Sequence, residues 1–356
     1  MALDLKQFVD INIVPHVTSN SKGTRNAVLF TYEGTSGTTL VINDYSDMKS
    51  KLSALPTTTR YVKVFLDNGG TNLKVICGKS TIIKADIAAL DNEDIIVAYV
   101  FSNTTGETAF INAANQYAND STVYGINEKI CISGGPSIAP ATLPSGIKNF
   151  AYKFATASPY MMTMAAYLSK IDVYSIDTVK DYAFTKETAY PSQDSAYTKD
   201  LQDGNYNIDL TVANAVRNIG GNCTDGSDLV NAYVRIVLHQ TLTEKLVDLL
   251  TQKIRGTAGI SKIYSTISKE LQNYLTCGYL TTDKIWTDED YKVTVGDQSY
   301  TIIEKGAALQ NGYVIKILPM SSLTDAQKAK HSAPYIYIVI ADQYGIRFIT
   351  VNGEVI

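Results

Sequence analysis

The run with the makings of nucleotide chemistry is Cys77-Gly78-Lys79-Ser80-Thr81. Its Gly-Lys-Ser core matches the tail of a phosphate-binding loop, where backbone amides cradle phosphate and the lysine reaches it. That loop needs a second glycine five residues before Gly78. Leu73 stands there instead, inside a stretch that reads as a strand. Without that glycine the amide cradle is missing, and the run reads as a strand-to-helix turn.

The other candidates for chemistry are scattered. His16, His239 and His331 show no HxxxH or HExxH spacing, and His239 flanks an apolar stripe, as a core or rim histidine does. There is no GxSxG elbow and no GxGxxG after a strand. Asp288-Glu289-Asp290 has no partner spacing for a metal loop and reads as a solvated turn. Cys77, Cys131, Cys223 and Cys277 form no CxxC pair and read as small apolar residues of a reducing compartment. Asn103, Asn119 and Asn222 head N-x-[ST] triplets, which are chance matches if the chain is not secreted. No catalytic residue, cofactor or metal is expected. An α/β enzyme handling nucleotides or sugars remains the alternative reading.

The elements that would position any site are clearer. Of 356 residues, 45% are hydrophobic and 19% charged, enough for a substantial core in two compact regions. A net charge of −4 and a pI near 5.5, with no basic cluster, argue against a nucleic-acid groove. The apolar runs fall short of the roughly 20 residues that span a bilayer. The start, MALDLKQFVD, lacks a basic n-region and an apolar h-region. A soluble protein made and kept in a cytoplasm is expected, with no nucleic acid or membrane as partner.

Residues 1–22 read as an N-terminal arm, with Phe8, Val9, Ile11, Ile13 and Val14 forming a strand-like run ended by Pro15. Strands and helices then alternate: strand Ala27–Tyr32, helix Tyr45–Leu55, strand Tyr61–Leu66. Asn68-Gly69-Gly70 looks like the turn of a hairpin into strand Leu73–Cys77. Helix Ile82–Leu90, strand Ile95–Phe101, helix Glu107–Ala118, strand Lys129–Ser133 and helix Tyr160–Leu168 follow. The stretch from Ser175 to Gly221 reads as polar, aromatic and rich in turns. Asp225 and Ser227 are candidate N-caps for a long helix, Asp228–Ile254. Its apolar stripe is Val230, Val234, Leu238, Leu242, Leu246, Leu249 and Leu250. Gly256 and Gly259 are expected to interrupt it before a second helix, Ile260–Thr276, closed by Gly278. Strands Tyr291–Val295, Ser299–Ile303 and Tyr313–Leu318 come next. The alternation predicts an α/β (α+β) fold, mixed sheets flanked by helices, with strand arms at both ends.

The last segment stays apolar to its end. Tyr335, Ile336, Tyr337, Ile338, Val339 and Ile340 form one strand, and Ile346, Phe348, Ile349, Thr350 and Val351 a second around a short turn. Such a stretch must be covered by the chain's own sheet or by a neighbour lacking a strand. The 24 tyrosines, against 9 phenylalanines, lean the same way, towards surfaces alternately wet and covered.

The order of elements in residues 207–356 carries a resemblance: a long amphipathic helix, a Gly-containing break, then a second helix into Leu275-Thr276-Cys277-Gly278-Tyr279-Leu280. A β region follows, with Ala333-Pro334 leading into the closing strands. This resembles the C-terminal domain of contractile-tail sheath proteins of bacteriophages and tailocins, in their compact form without large insertions. The resemblance implies residues 23–206 as an N-terminal sheath domain and 207–356 as a C-terminal one. It implies hexameric rings of copies stacked helically around a tail tube protein, with baseplate and tail terminator as further partners. The setting it implies is a virion tail assembled in the host bacterial cytoplasm. The arm Phe8–Val14 and the strand Ile346–Val351 would be donated to neighbouring subunits, and Tyr335–Ile340 would accept. Another tail component, tube or baseplate, is the structural alternative.

Overall fold

A computed structural model of the chain describes residues 25–120, 128–135, 144–155, 157–175, 182, 204–212, 215–252, 256–329 and 333–342. The arm residues Phe8–Val14 and the strand Ile346–Val351 lie outside them, as do His16 and His331.

An eight-stranded sheet organises the first two thirds of the chain. Its strands are β1 (Asn26–Thr31), β2 (Thr39–Ile42), β3 (Leu73–Ile76), β4 (Asp94–Val100), β5 (Ile130–Gly135), β6 (Phe150–Phe154), β7 (Asn207–Val212) and β8 (Ala215–Ile219). The spatial order is β2-β3-β1-β4-β5-β6-β7-β8. The strands from β3 through β7 run parallel. β2 and β8 close the two edges antiparallel. Parallel strands connected by crossovers are covered on both faces, which is why β4, DIIVAYV, is buried at every position. Alternate residues serve two cores: Ala27, Leu29 and Ala98 face one, Val28, Phe30, Val97 and Tyr99 the other.

Helices α1 (Tyr45–Lys51), α2 (Pro56–Asp67) and α5 (Met162–Ser169) cover the first face; α3 (Lys84–Ala88) and α4 (Thr104–Ala118) cover the second. Helices α6 (Leu229–Thr251) and α7 (Gly256–Thr276) pack into the first core as well. That core therefore draws on residues from both sides of the expected 206/207 division, and β7 and β8 complete the sheet begun by β1 to β6.

Several sequence expectations are corrected. Tyr61–Leu66 is helix, not strand. Thr58, Tyr61, Val62 and Phe65 are buried at a spacing of three and four, so the run is apolar on one helical face. The expected hairpin is the C-terminus of α2: Gly69 N donates to Leu66 O (2.9 Å) and Gly70 N to Phe65 O (3.0 Å). This is a Schellman cap, with Gly69 in the left-handed region at φ +74°. β2, β6, β7 and β8 were not expected. In β7 the buried side chains Asn207 and Asp209 disguise the apolar period.

The N-cap of α6 is Asp228, whose carboxylate accepts from Asn231 N at 2.8 Å. Asp225 instead accepts from Ser227 N (3.0 Å) in the turn before it. The stripe from Val230 to Leu249 is buried, but so are Leu229, Tyr233, Ile236 and Val237, so this half of α6 is enclosed all round. Gly256 and Gly259 lie in the first turn of α7 and do not interrupt it.

Beyond α7 come two small antiparallel sheets, β9 (Tyr291–Val295) with β10 (Gln298–Ile303), and β11 (Tyr313–Ile317) with β12 (Ile336–Ile340). A short helix, α8 (Asp325–Ala329), lies between β11 and β12. Among the described residues the partner of β12 is β11.

Candidate functional site

The β11–β12 ribbon is where the expected acceptor residues converge. Its register pairs Tyr313 with Ile340, Ile315 with Ile338 and Ile317 with Ile336 on one face. Ile315, Ile317, Ile336, Ile338 and Ile340 rest on the first core, and Tyr313 meets Ser268 of α7, hydroxyl to hydroxyl, at 2.8 Å. Val314 and Val339 face the other way, into a small cluster with Ile303, Leu309, Ala341 and Trp286. Both faces are thereby occupied, and what the ribbon offers is an edge.

The hydrogen-bond phase tells which groups that edge presents. Ala341 N donates to Gly312 O (2.8 Å) and Leu318 N to Tyr335 O (2.9 Å). Antiparallel pairing then turns the amides of Val339 and Tyr337 towards β11, and those of Ile336, Ile338 and Ile340 outward. Among the described residues no other strand is hydrogen-bonded to β12. Such an edge is a template for strand addition.

A second feature, not legible in the sequence, is where the chain enters the sheet after residue 24. Arg25 is buried, and its Nε donates to Gln240 Oε1 of α6 at 3.3 Å. Gln240 Nε2 in turn donates to Asn92 O at 2.8 Å. Nearby, fully buried Glu270 of α7 accepts from Tyr174 at 2.8 Å and pairs with Lys245 of α6. The Arg25–Gln240 bond fixes the start of β1 against α6. The sequence signal was weak: single polar residues inside apolar helices.

The phosphate-loop remnant is occupied by the protein itself. Cys77 N donates to Thr38 O, Gly78 N to Glu33 O and Lys79 N to Thr31 O, at 2.8–2.9 Å. Gly78 has φ +73°, and a Cβ there would fall 2.4 Å from the Ser36 backbone. Lys79 Nζ pairs with Asp86 at 2.5 Å. The adjacent N-terminus of α2, at the carboxyl end of β1, holds the Glu33 carboxylate: Thr57 N donates at 3.1 Å, Thr58 N and Oγ1 at 2.7 Å. In open α/β sheets this is where strand order reverses and anionic ligands are received. Burial opposes the charge of Glu33, but the bonds from Thr58 and Thr57 outweigh it and hold its pKa below the ordinary range.

The remaining titratable groups are interior. Glu107 accepts from Ser133 (3.2 Å) and Tyr152 (3.3 Å), and burial raises its pKa despite those bonds. His239 is half-buried, with burial lowering its pKa against the pull of Glu128. All four cysteines are buried and free. Glu289 and Asp290 pair with Lys305 and Lys292 on the surface. Among the described residues no cluster of His, Cys, Asp and Glu could hold a metal, and no helix is long and apolar enough to cross a membrane. Part of the tyrosine excess has an internal use: Tyr99, Tyr152, Tyr182, Tyr233 and Tyr274 are fully buried.

No protein-family model and no curated protein matches this chain. Solved structures do. A chain of the anti-feeding prophage (AFP) baseplate, 6-fold symmetrised, is similar at 13% identity, with a TM-score of 0.66 over 96% of this chain and 98% of that one. A chain of the same baseplate in its contracted state is similar at 13% identity, with a TM-score of 0.59 over 96% of this chain and 97% of that one. The sheath tail protein of Desulfitobacterium hafniense aligns at 10% identity over 78% of this chain and 94% of its own, with a TM-score of 0.49, too low to carry an argument. At such identities the likeness is one of fold: the chain shares the fold of the matched chain of the anti-feeding prophage baseplate.

Proposed function

We propose that this chain is a protomer of a contractile tail sheath, a structural and mechanical protein. It polymerises helically as stacked hexameric rings around a tail tube and contracts to drive the tube through a cell envelope. The observation that carries the reading is a fold shared over 96% of the chain with chains of the anti-feeding prophage baseplate, one of them in the contracted state. The outward edge of β12 supports it. Strand addition there supplies main-chain hydrogen bonds that survive rigid-body rotation of whole subunits. The donated strands are Phe8–Val14 and Ile346–Val351. A head-to-tail contact of this kind does not close on itself and so builds a helical tube. Partners on this reading are copies of the chain, the tube protein, the baseplate and the tail terminator. Its place is the tail of a phage or tailocin assembled in a bacterial cytoplasm.

A second reading, a baseplate component, is favoured by the source of both full-length likenesses. Electron microscopy of the purified protein at high concentration separates the two. Stacked tubes support the sheath, and single rings that never stack support the baseplate. A monomer at every concentration would sink both.

A further inference from the structure

One buried pair has a geometry suited to covalent chemistry. Lys153 of β6 and Asp209 of β7 face each other with Nζ 2.9 Å from Oδ1, and their side chains are 0% and 2% exposed. Thr163 Oγ1 lies 2.7 Å from the same nitrogen and the Tyr182 hydroxyl 3.3 Å, both residues buried. Those two hydroxyls are 3.0 Å apart. An amine, a carboxyl and two proton-carrying hydroxyls therefore meet in a space closed to water.

We propose that Lys153 and Asp209 condense to an isopeptide bond inside the folded protein. An ion pair this deep carries a heavy desolvation cost, which proton transfer from ammonium to carboxylate relieves, leaving an amine and a carboxylic acid. The Nζ lone pair then forms a bond to Cγ of Asp209, and the Cγ–OH bond breaks. The hydroxyl leaves with a proton from nitrogen as water, so atoms and electrons balance with no oxidant or reductant. That proton passes directly between the two groups, Nζ lying 2.9 Å from Oδ1, while the hydroxyls of Thr163 and Tyr182 fix the amine in place. Fixing both reactants in contact is worth effective molarities on the order of 10⁵ M or more. The dry site withholds the water that would reverse the step.

The link would fall where the sheet is weakest. β6 and β7 share two registered positions, Lys153 with Asn207 and Phe154 with Ile208, the shortest pairing in the sheet. The amide would tie that seam across the long excursion between the two strands. The inference rests on this geometry and not on the sheath reading.

Mass spectrometry of the denatured full-length protein tests it. The wild type should weigh one water, about 18 Da, less than its sequence, and digestion should yield a branched peptide joining Lys153 to Asp209. Lys153→Arg should restore the full sequence mass, because guanidinium is not a nucleophile at this pH. Asp209→Asn should link with loss of ammonia, about 17 Da, instead of water. A wild-type protein that keeps its full mass after days folded at high concentration overturns the proposal. So does a water loss that maps to other residues. The wild-type measurement decides even if neither variant folds.

Discussion

The Glu33 carboxylate closes the N-terminus of α2 on Thr58, whose amide and hydroxyl both lie 2.7 Å from Oε2. The amides that an α/β sheet offers to an anionic ligand at its switch point are here satisfied by the loop after β1. With Gly78 pressed against Ser36, this crevice is filled by the chain's own groups, which favours the structural reading over the nucleotide-handling alternative.

Glu33→Gln should cost about 1–2 kcal/mol at pH 7, since it weakens charge-assisted bonds at a helix N-terminus. The folded pKa of Glu33 is depressed, so its contribution is present above the unfolded value of 4.5 and fades as pH falls through the folded one. Denaturant titrations at pH 7 and pH 3 should show the difference between wild type and variant shrinking at the acid end. An equal gap at both would discount the charged form.

Lys129 gives a pH dependence of the same sense in a higher window. It is buried, donates to Asp91 O at 2.5 Å, and burial takes its pKa from 10.5 to about 7, against the pull of Asp94 and Asp91. The unfolded chain holds this proton up to the higher value and the folded chain releases it near the lower one, so stability rises with pH between them. Lys129→Met should raise the melting temperature at pH 6 and lose most of that advantage by pH 10. A gain that does not depend on pH would point to packing alone.

Phe65 tests the reassigned helix. It is fully buried and its carbonyl accepts from Gly70 at the Schellman cap. Phe65→Ala should cost about 3–5 kcal/mol through the cavity it leaves. A loss below about 1 kcal/mol would mean the residue lies outside the core.

The edge of β12 can be probed with proline. Ile338 turns its amide outward, so Ile338→Pro keeps the ladder to β11 and removes a donor from the outer edge. Folded but non-polymerising protein is expected, whereas Tyr337→Pro should disrupt the ribbon itself. Circular dichroism and electron microscopy read the two effects separately. Normal tubes from Ile338→Pro would exclude this edge as acceptor.

Deletion of residues 345–356 addresses the donor. The truncated protein should fold, with a melting temperature near that of the full chain, and form no tubes. Unaltered polymerisation would remove the C-terminal strand from the assembly.

The sequence by itself determined the elements whose period is clean: β4, continuously apolar because both its faces are covered, and α6 and α7, with their long stripes. It also determined that no catalytic constellation is spelled out locally, and that Tyr335–Ile340 forms a strand. It failed where local composition and tertiary role diverge. Tyr61–Leu66 is β-branched and aromatic, so it reads as strand, yet Pro56 starts a helix whose buried face is Thr58, Tyr61, Val62 and Phe65. β7 carries Asn207 and Asp209 inward, and a buried polar residue looks exposed until its partner is known. Only the tertiary structure decided those partners, Lys153 for Asp209 and β11 for β12, because each lies far away in the chain. Periodicity reports which face of an element is apolar. What that face or edge meets depends on long-range packing, which no local window of sequence contains.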